Sequence, residues 1–131
     1  MRFARRILGA LAAFQAVTVS ACTRTIDGTV LVLGRTEADA KMAAAGLEGY
    51  GIKYETVAVP QGGFSLPQLN STNEKGNYGG IVMLSEVSYE YEDGWKSAIT
   101  EEQFDEIYAY QKDFGVRMVR LDVFPNANFG K

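Results

Sequence analysis

Ten consecutive residues, Glu86-Val87-Ser88-Tyr89-Glu90-Tyr91-Glu92-Asp93-Gly94-Trp95, hold four acids, two tyrosines and the single tryptophan of the chain. Aromatic rings stack on the apolar faces of pyranoses, and carboxylates accept hydrogen bonds from sugar hydroxyls, so both residue types needed for carbohydrate contact stand side by side here. Glu86, Tyr89, Tyr91 and Trp95 are the candidate ligand contacts. A plainer reading uses the same residues: the rings cover the end of a sheet and the acids are solvated.

Catalysis finds less support. The chain has no histidine, so neither a Ser-His-Asp nor a Cys-His nucleophile can be assembled, and the common zinc sites use imidazole or several cysteines. Glu101-Glu102 could in principle do glycosidase acid/base work, but Thr100-Glu101-Glu102-Gln103 reads better as a capping box with acids in the first helical turn. Gly62-Gly63 and Gly79-Gly80 open no helix with the spacing of a dinucleotide or phosphate loop. No catalytic residue, metal ligand or cofactor is expected.

The elements that must position the candidate loop follow from the apolar pattern. Tyr78-Gly79-Gly80-Ile81-Val82-Met83-Leu84-Ser85 is too short for a buried helix and reads as a buried parallel strand. Further strands are expected near 29–34, 53–59 and 116–123, the second of them nearer the sheet edge because it alternates. Helices are expected from Glu37 to Glu48, capped by Thr36 with Asp39 and leaving at Gly46 or Gly51, and from Thr100 to Asp113-Phe114-Gly115. The fold class is α/β: a small three-layer, flavodoxin-like, mostly parallel sheet, incomplete if a terminal strand belongs to sequence beyond Lys131. In such a sheet the crevice lies at the carboxyl ends of the strands, where the Glu86–Trp95 loop begins. Asp122 either pairs with Arg117 or Arg120 or points into that crevice. Residues 60–78 form a long polar span, read as a lid or as a crossover with one helical turn near Leu66. Within it Asn70-Ser71-Thr72 is a glycosylation sequon.

The first residues differ in kind. Arg2, Arg5 and Arg6 precede an apolar stretch from Ile7 to Val17, and Val19-Ser20-Ala21 offers small residues to a signal peptidase. The stretch falls short of the ~20 residues that span a bilayer, so residues 1–21 are read as a secretory leader cleaved between Ala21 and Cys22, and no membrane span is expected. In a bacterium the same residues would form a lipobox with Cys22 lipidated. As the only cysteine, Cys22 cannot form an internal disulfide. Residues 22–28 are a linker and 29–131 one α/β domain, secreted or held in the cell wall. Thirteen basic and sixteen acidic residues give a net charge of −3; loss of the three leader arginines leaves −6, and an acidic domain has no basic face for nucleic acid.

Three stretches carry a resemblance: Leu47-Glu48-Gly49-Tyr50-Gly51-Ile52-Lys53-Tyr54, Tyr78 to Tyr89, and Gly115-Val116-Arg117-Met118-Val119-Arg120-Leu121-Asp122-Val123-Phe124-Pro125. They resemble the N-terminal region of the large secreted fungal deacetylases that act on galactosaminogalactan, a cell-wall and biofilm exopolysaccharide. The resemblance runs from about Thr29 to Gly130. It implies a non-catalytic, carbohydrate-binding-module-like domain, a galactosamine-containing polysaccharide as ligand, and a downstream domain supplying the metal ligands that deacetylation requires. It also implies that a chain of this length is a truncated relative, an isolated accessory domain or a fragmentary gene product; the rival reading is a structural spacer that packs on the catalytic domain and has no ligand of its own.

Overall fold

The structure, a computed structural model, describes residues 23–123; Ala21 and Cys22, at the expected cleavage point, lie outside them. Its centre is a four-stranded parallel sheet in the order β3-β2-β6-β9, made of β2 (Val30–Gly34), β3 (Tyr54–Ala58), β6 (Gly80–Leu84) and β9 (Arg117–Leu121). Leu31 stands opposite Glu55 on one side and Ile81 on the other, and Ile81 is in turn opposite Met118. Alternation along these strands sends side chains to two faces. Leu31, Leu33, Ile81 and Met83 pack with Ile107, Tyr110 and Phe114 of helix α2 (Glu101–Phe114). Val32 packs with Ala40 and Ala44 of helix α1 (Glu37–Gly49). Each large apolar side chain buried in this way contributes roughly 2 kcal/mol.

The helices begin where the caps predict. The Thr36 hydroxyl accepts the Asp39 N–H at 3.1 Å. Thr100 and Gln103 cap one another: Thr100 Oγ1 accepts the Gln103 N–H at 3.3 Å and Gln103 Oε1 accepts the Thr100 N–H at 3.1 Å. Helix α2 stops at Gly115, whose φ of 67° suits a residue without Cβ. Helix α1 passes through Gly46 and ends with Tyr50 as its cap, followed by Gly51 at φ 67°. It can lie against β2 because Gly34 has no side chain: a Cβ there would stand 2.7 Å from the Ala40 nitrogen.

Outside the central sheet the structure departs from expectation. The span after Pro60 has no helical turn near Leu66; it instead contributes β4 (Asn70–Thr72) and β5 (Lys75–Gly76), an antiparallel pair that β1 (Thr25–Ile26) extends by parallel pairing with β5. The acidic stretch is not a loop either. After a single 3₁₀ turn at Ser85–Val87 it forms an antiparallel hairpin of β7 (Ser88–Tyr91) and β8 (Gly94–Ser97). The sheets are therefore parallel in the centre and mixed around it. Asp122 sits at φ 54° and accepts a bond from Ser85 Oγ, while the ion pair of Arg120 among the described residues is with Glu86. Among the described residues no helix is long and apolar enough to cross a membrane.

Candidate functional site

The carboxyl end of β6 turns sharply. Ser85, Glu86 and Val87 have φ of 49°, 55° and 50°, three successive non-glycine residues in the left-handed region, each at a cost of order 1–3 kcal/mol. Specific contacts hold the turn in place. Val87 is fully buried in the core, its carbonyl accepts the Ala98 N–H at 3.0 Å, and the Ser97 hydroxyl donates to the Glu86 carbonyl at 2.6 Å. The Glu86 carboxylate pairs with Arg120, whose guanidinium also donates to the Tyr108 hydroxyl at 2.7 Å and lies 5.9 Å from the Phe104 ring centre. Ser85 Oγ donates to Asp122 at 3.3 Å. The turn thus joins β6, β9 and α2 and fixes where the hairpin starts.

The hairpin register separates the candidate residues. Tyr89 faces Lys96 and Tyr91 faces Gly94, while Glu90 faces Trp95, so the two tyrosines share one face and Trp95 with Glu90 takes the other. The tyrosine face is bound to the domain. The Tyr89 hydroxyl donates to the Val59 carbonyl at 2.8 Å, with the Arg35 carbonyl at 3.3 Å, and the Arg35 guanidinium lies 5.8 Å from its ring centre. The Tyr91 hydroxyl donates to the Gln61 carbonyl at 2.9 Å, and Gln61 returns a bond from Nε2 to the Glu90 carbonyl at 2.9 Å. The opposite face is open: Trp95 is 65% exposed. At the tip Lys96 bonds to Asp93 and thereby holds its carboxyl below the usual carboxylate range.

Glu86, Tyr89, Tyr91 and Trp95 therefore do not converge on one point. Three of them build and anchor a platform, and one ring projects from it. An anchored indole can cover the apolar face of a ring-shaped ligand at little entropic cost. Glu86 is occupied by Arg120. Among the described residues no group of three or more His, Cys, Asp or Glu side chains is placed to hold a metal ion.

These details sit within a family. The sequence pattern described as Agd3 CBM87, a carbohydrate-binding module, matches residues 26–131. The chain belongs to the Agd3 CBM87 family. The crystal structure of Agd3, described as a novel carbohydrate deacetylase, is similar to this chain with a TM-score of 0.77 and 47% sequence identity, over 82% of this chain and 16% of that one. No curated protein matches. The CBM87 chain thus spans about a sixth of the Agd3 chain, and the family relation that the sequence resemblance implied holds.

A concave surface of this CBM87 domain has no counterpart in the sequence reading. A cleft of about 480 Å³ opens at the amino ends of β2, β3 and β6, with Lys53, Glu55 and Tyr78 among its walls. The charged alternation Lys53-Tyr54-Glu55 was the available signal, but its partners come from residues 27 and 75, which only the small β1-β5-β4 sheet brings near. The sequon residue Asn70 lies in β4, half-exposed, with Nδ2 donating to the Thr72 carbonyl at 3.1 Å.

Proposed function

We propose that this chain is a secreted, non-catalytic carbohydrate-binding module that engages a galactosamine-containing polysaccharide through the hairpin at the carboxyl end of its sheet. The match of residues 26–131 to a carbohydrate-binding module carries this reading, and the exposed Trp95 ring on its anchored hairpin supports the location. Trp95 stacks on a sugar face and Glu90, across from it, accepts hydroxyl bonds. Tyr89, Tyr91 and Glu86 act on the ligand by holding that platform. The helices on opposite sheet faces favour the three-layer, flavodoxin-like description of the central domain. Residues 1–21 direct secretion with cleavage before Cys22, and Asn70 carries a glycan when the chain is secreted by a eukaryotic cell.

Similarity to a carbohydrate deacetylase of which this chain covers only 16% supports a downstream catalytic domain as partner. The face of β9 on the α1 side of the sheet, where Val119 is 50% and Leu121 36% exposed, offers it a docking surface. The function is tested by titrating the chain with partially deacetylated galactosamine polymer while following tryptophan fluorescence. Because Trp95 is the only tryptophan, the signal reads the hairpin alone. Binding should change the emission, and Trp95→Ala should weaken affinity measured by calorimetry about ten-fold. Absence of binding, or an unchanged affinity in Trp95→Ala together with a silent fluorescence signal, would exclude the hairpin as the contact.

A further inference from the structure

We propose that the cleft at the amino ends of the strands is a second sugar-binding site, built for an uncharged pyranose unit. The proposal rests on the carbohydrate-binding reading above but concerns the opposite end of the sheet, where that reading places nothing. The cleft holds about 480 Å³, within the range of small-ligand sites. Its walls come from three chain segments locked together through the main chain: the Gly79 N–H donates to the Thr29 carbonyl at 2.9 Å, the Val30 N–H to the Lys53 carbonyl at 2.9 Å, and the Asp27 N–H to the Gly76 carbonyl at 3.0 Å. Gly79 permits this closeness, since a Cβ there would stand 3.0 Å from the Asp27 carbonyl oxygen.

The lining presents donors and acceptors already oriented. Asp27 accepts both the Thr29 N–H at 2.9 Å and the Thr29 hydroxyl at 2.5 Å on Oδ1, which leaves Oδ2 for a ligand hydroxyl. Glu55 accepts the Tyr78 hydroxyl on Oε2 at 2.9 Å, which leaves Oε1. Lys53 and Lys75 line the same space; among the described residues neither forms a direct ion pair, and both act on Asp27 at longer range. The Thr29 bonds, helped by Lys53, hold Asp27 below the usual carboxylate range, so it remains an acceptor across the physiological pH range. The half-buried Tyr54 adds an aromatic wall.

Charge decides the ligand class. Two ammonium groups and two carboxylates cancel, so an anion such as phosphate meets Asp27 and Glu55 as well as the lysines, and an ammonium meets the reverse. A sugar hydroxyl donates and accepts at once and can use both sets. A neutral pyranose carrying hydroxyl or acetamido groups therefore fits, and a free amino sugar fits less well.

The test uses calorimetry on the Trp95→Ala chain, which removes the hairpin contribution, with a neutral N-acetylhexosamine oligosaccharide, its de-N-acetylated cationic counterpart, and inorganic phosphate as probes. The neutral oligosaccharide should bind most tightly. Lys53→Met and Glu55→Gln, both at exposed positions, should each weaken it roughly ten-fold, and amide shifts in a titration should gather at residues 53–55 and 75–78. Full affinity in both variants, or tighter binding of the cationic sugar or of phosphate, would overturn the cleft assignment. If the unsubstituted chain changes its tryptophan emission with sugar while the cleft amides stay silent, the cleft alone falls. If neither responds to any sugar, the carbohydrate reading falls with it.

Discussion

The hairpin and the cleft, at the two ends of one parallel sheet, begin in different ways. At the carboxyl end three successive residues occupy left-handed conformations without a glycine among them, and side-chain bonds from Ser97 and Arg120 keep them there. At the amino end the chain is close-packed and unstrained, with glycine placed where two backbones nearly touch. The first end projects a hairpin into solvent; the second frames an open cleft. Strain and close approach are alternative ways to fix the position of a loop, and they predict opposite responses to substitution.

The largest effect should come at the amino end. The Tyr110 hydroxyl accepts the Tyr78 N–H at 3.0 Å and donates to the Tyr78 carbonyl at 2.6 Å, both in the buried interior. Tyr110→Phe leaves both main-chain groups without that partner and should cost about 2–3 kcal/mol in urea unfolding; a loss under about 0.5 kcal/mol would mean that water replaces the hydroxyl. Next, Gly79→Ala should cost about 1–2 kcal/mol, because the added methyl meets the Asp27 and Gly28 main chain rather than a movable side chain. At the other end the sign reverses. Ser85→Gly relieves a left-handed residue whose side chain makes only 3.3 Å contacts, and should stabilise by about 0.5 kcal/mol after glycine's own entropy cost. If Ser85→Gly destabilises the domain, the contrast between the ends fails.

The smallest effect is in alkali. Burial, followed by the bond to Glu55, pushes the Tyr78 phenol from 10.0 up to about 12. A neutral form favoured by folding contributes stability that is fully present below pH 10 and is lost as pH rises through 12. Stability should therefore fall across that window, and Tyr78→Phe should flatten the fall. An unchanged slope in Tyr78→Phe would assign the alkaline loss elsewhere.

How much of this was legible in the sequence follows from the range of each interaction. Both helices were, because Thr36, Thr100, Gln103 and Gly115 act within one turn of their own chain. The four central strands were, because Val30 to Gly34 and Gly80 to Leu84 are apolar runs with few alternatives. The small β1-β5-β4 sheet was not: strands of two or three residues carry no periodicity, and β1 pairs with β5 from 50 positions away, Thr25 with Lys75. The hairpin had a local signal in Asp93-Gly94, with Gly94 at φ 115°, which the density of acids around it obscured. The split between Tyr91 and Trp95 depends on register, and the cleft on three segments meeting; neither is written in any single stretch.

The Tyr110 hydroxyl has a consequence for slow motion. By bonding both the N–H and the carbonyl of Tyr78, a side chain on a helix occupies the position that a neighbouring strand residue would fill. The amide of Tyr78 is therefore shielded only while α2 stays seated. In a hydrogen–deuterium exchange experiment it becomes a gauge of helix lifting, and it should exchange together with the amides of Ile107 and Phe114 rather than with its sequence neighbours at the rim. One phenol thus links the helix that carries Arg120's partners at one end of the sheet to the residue that shapes the cleft at the other, so the two ends should loosen as a single unit.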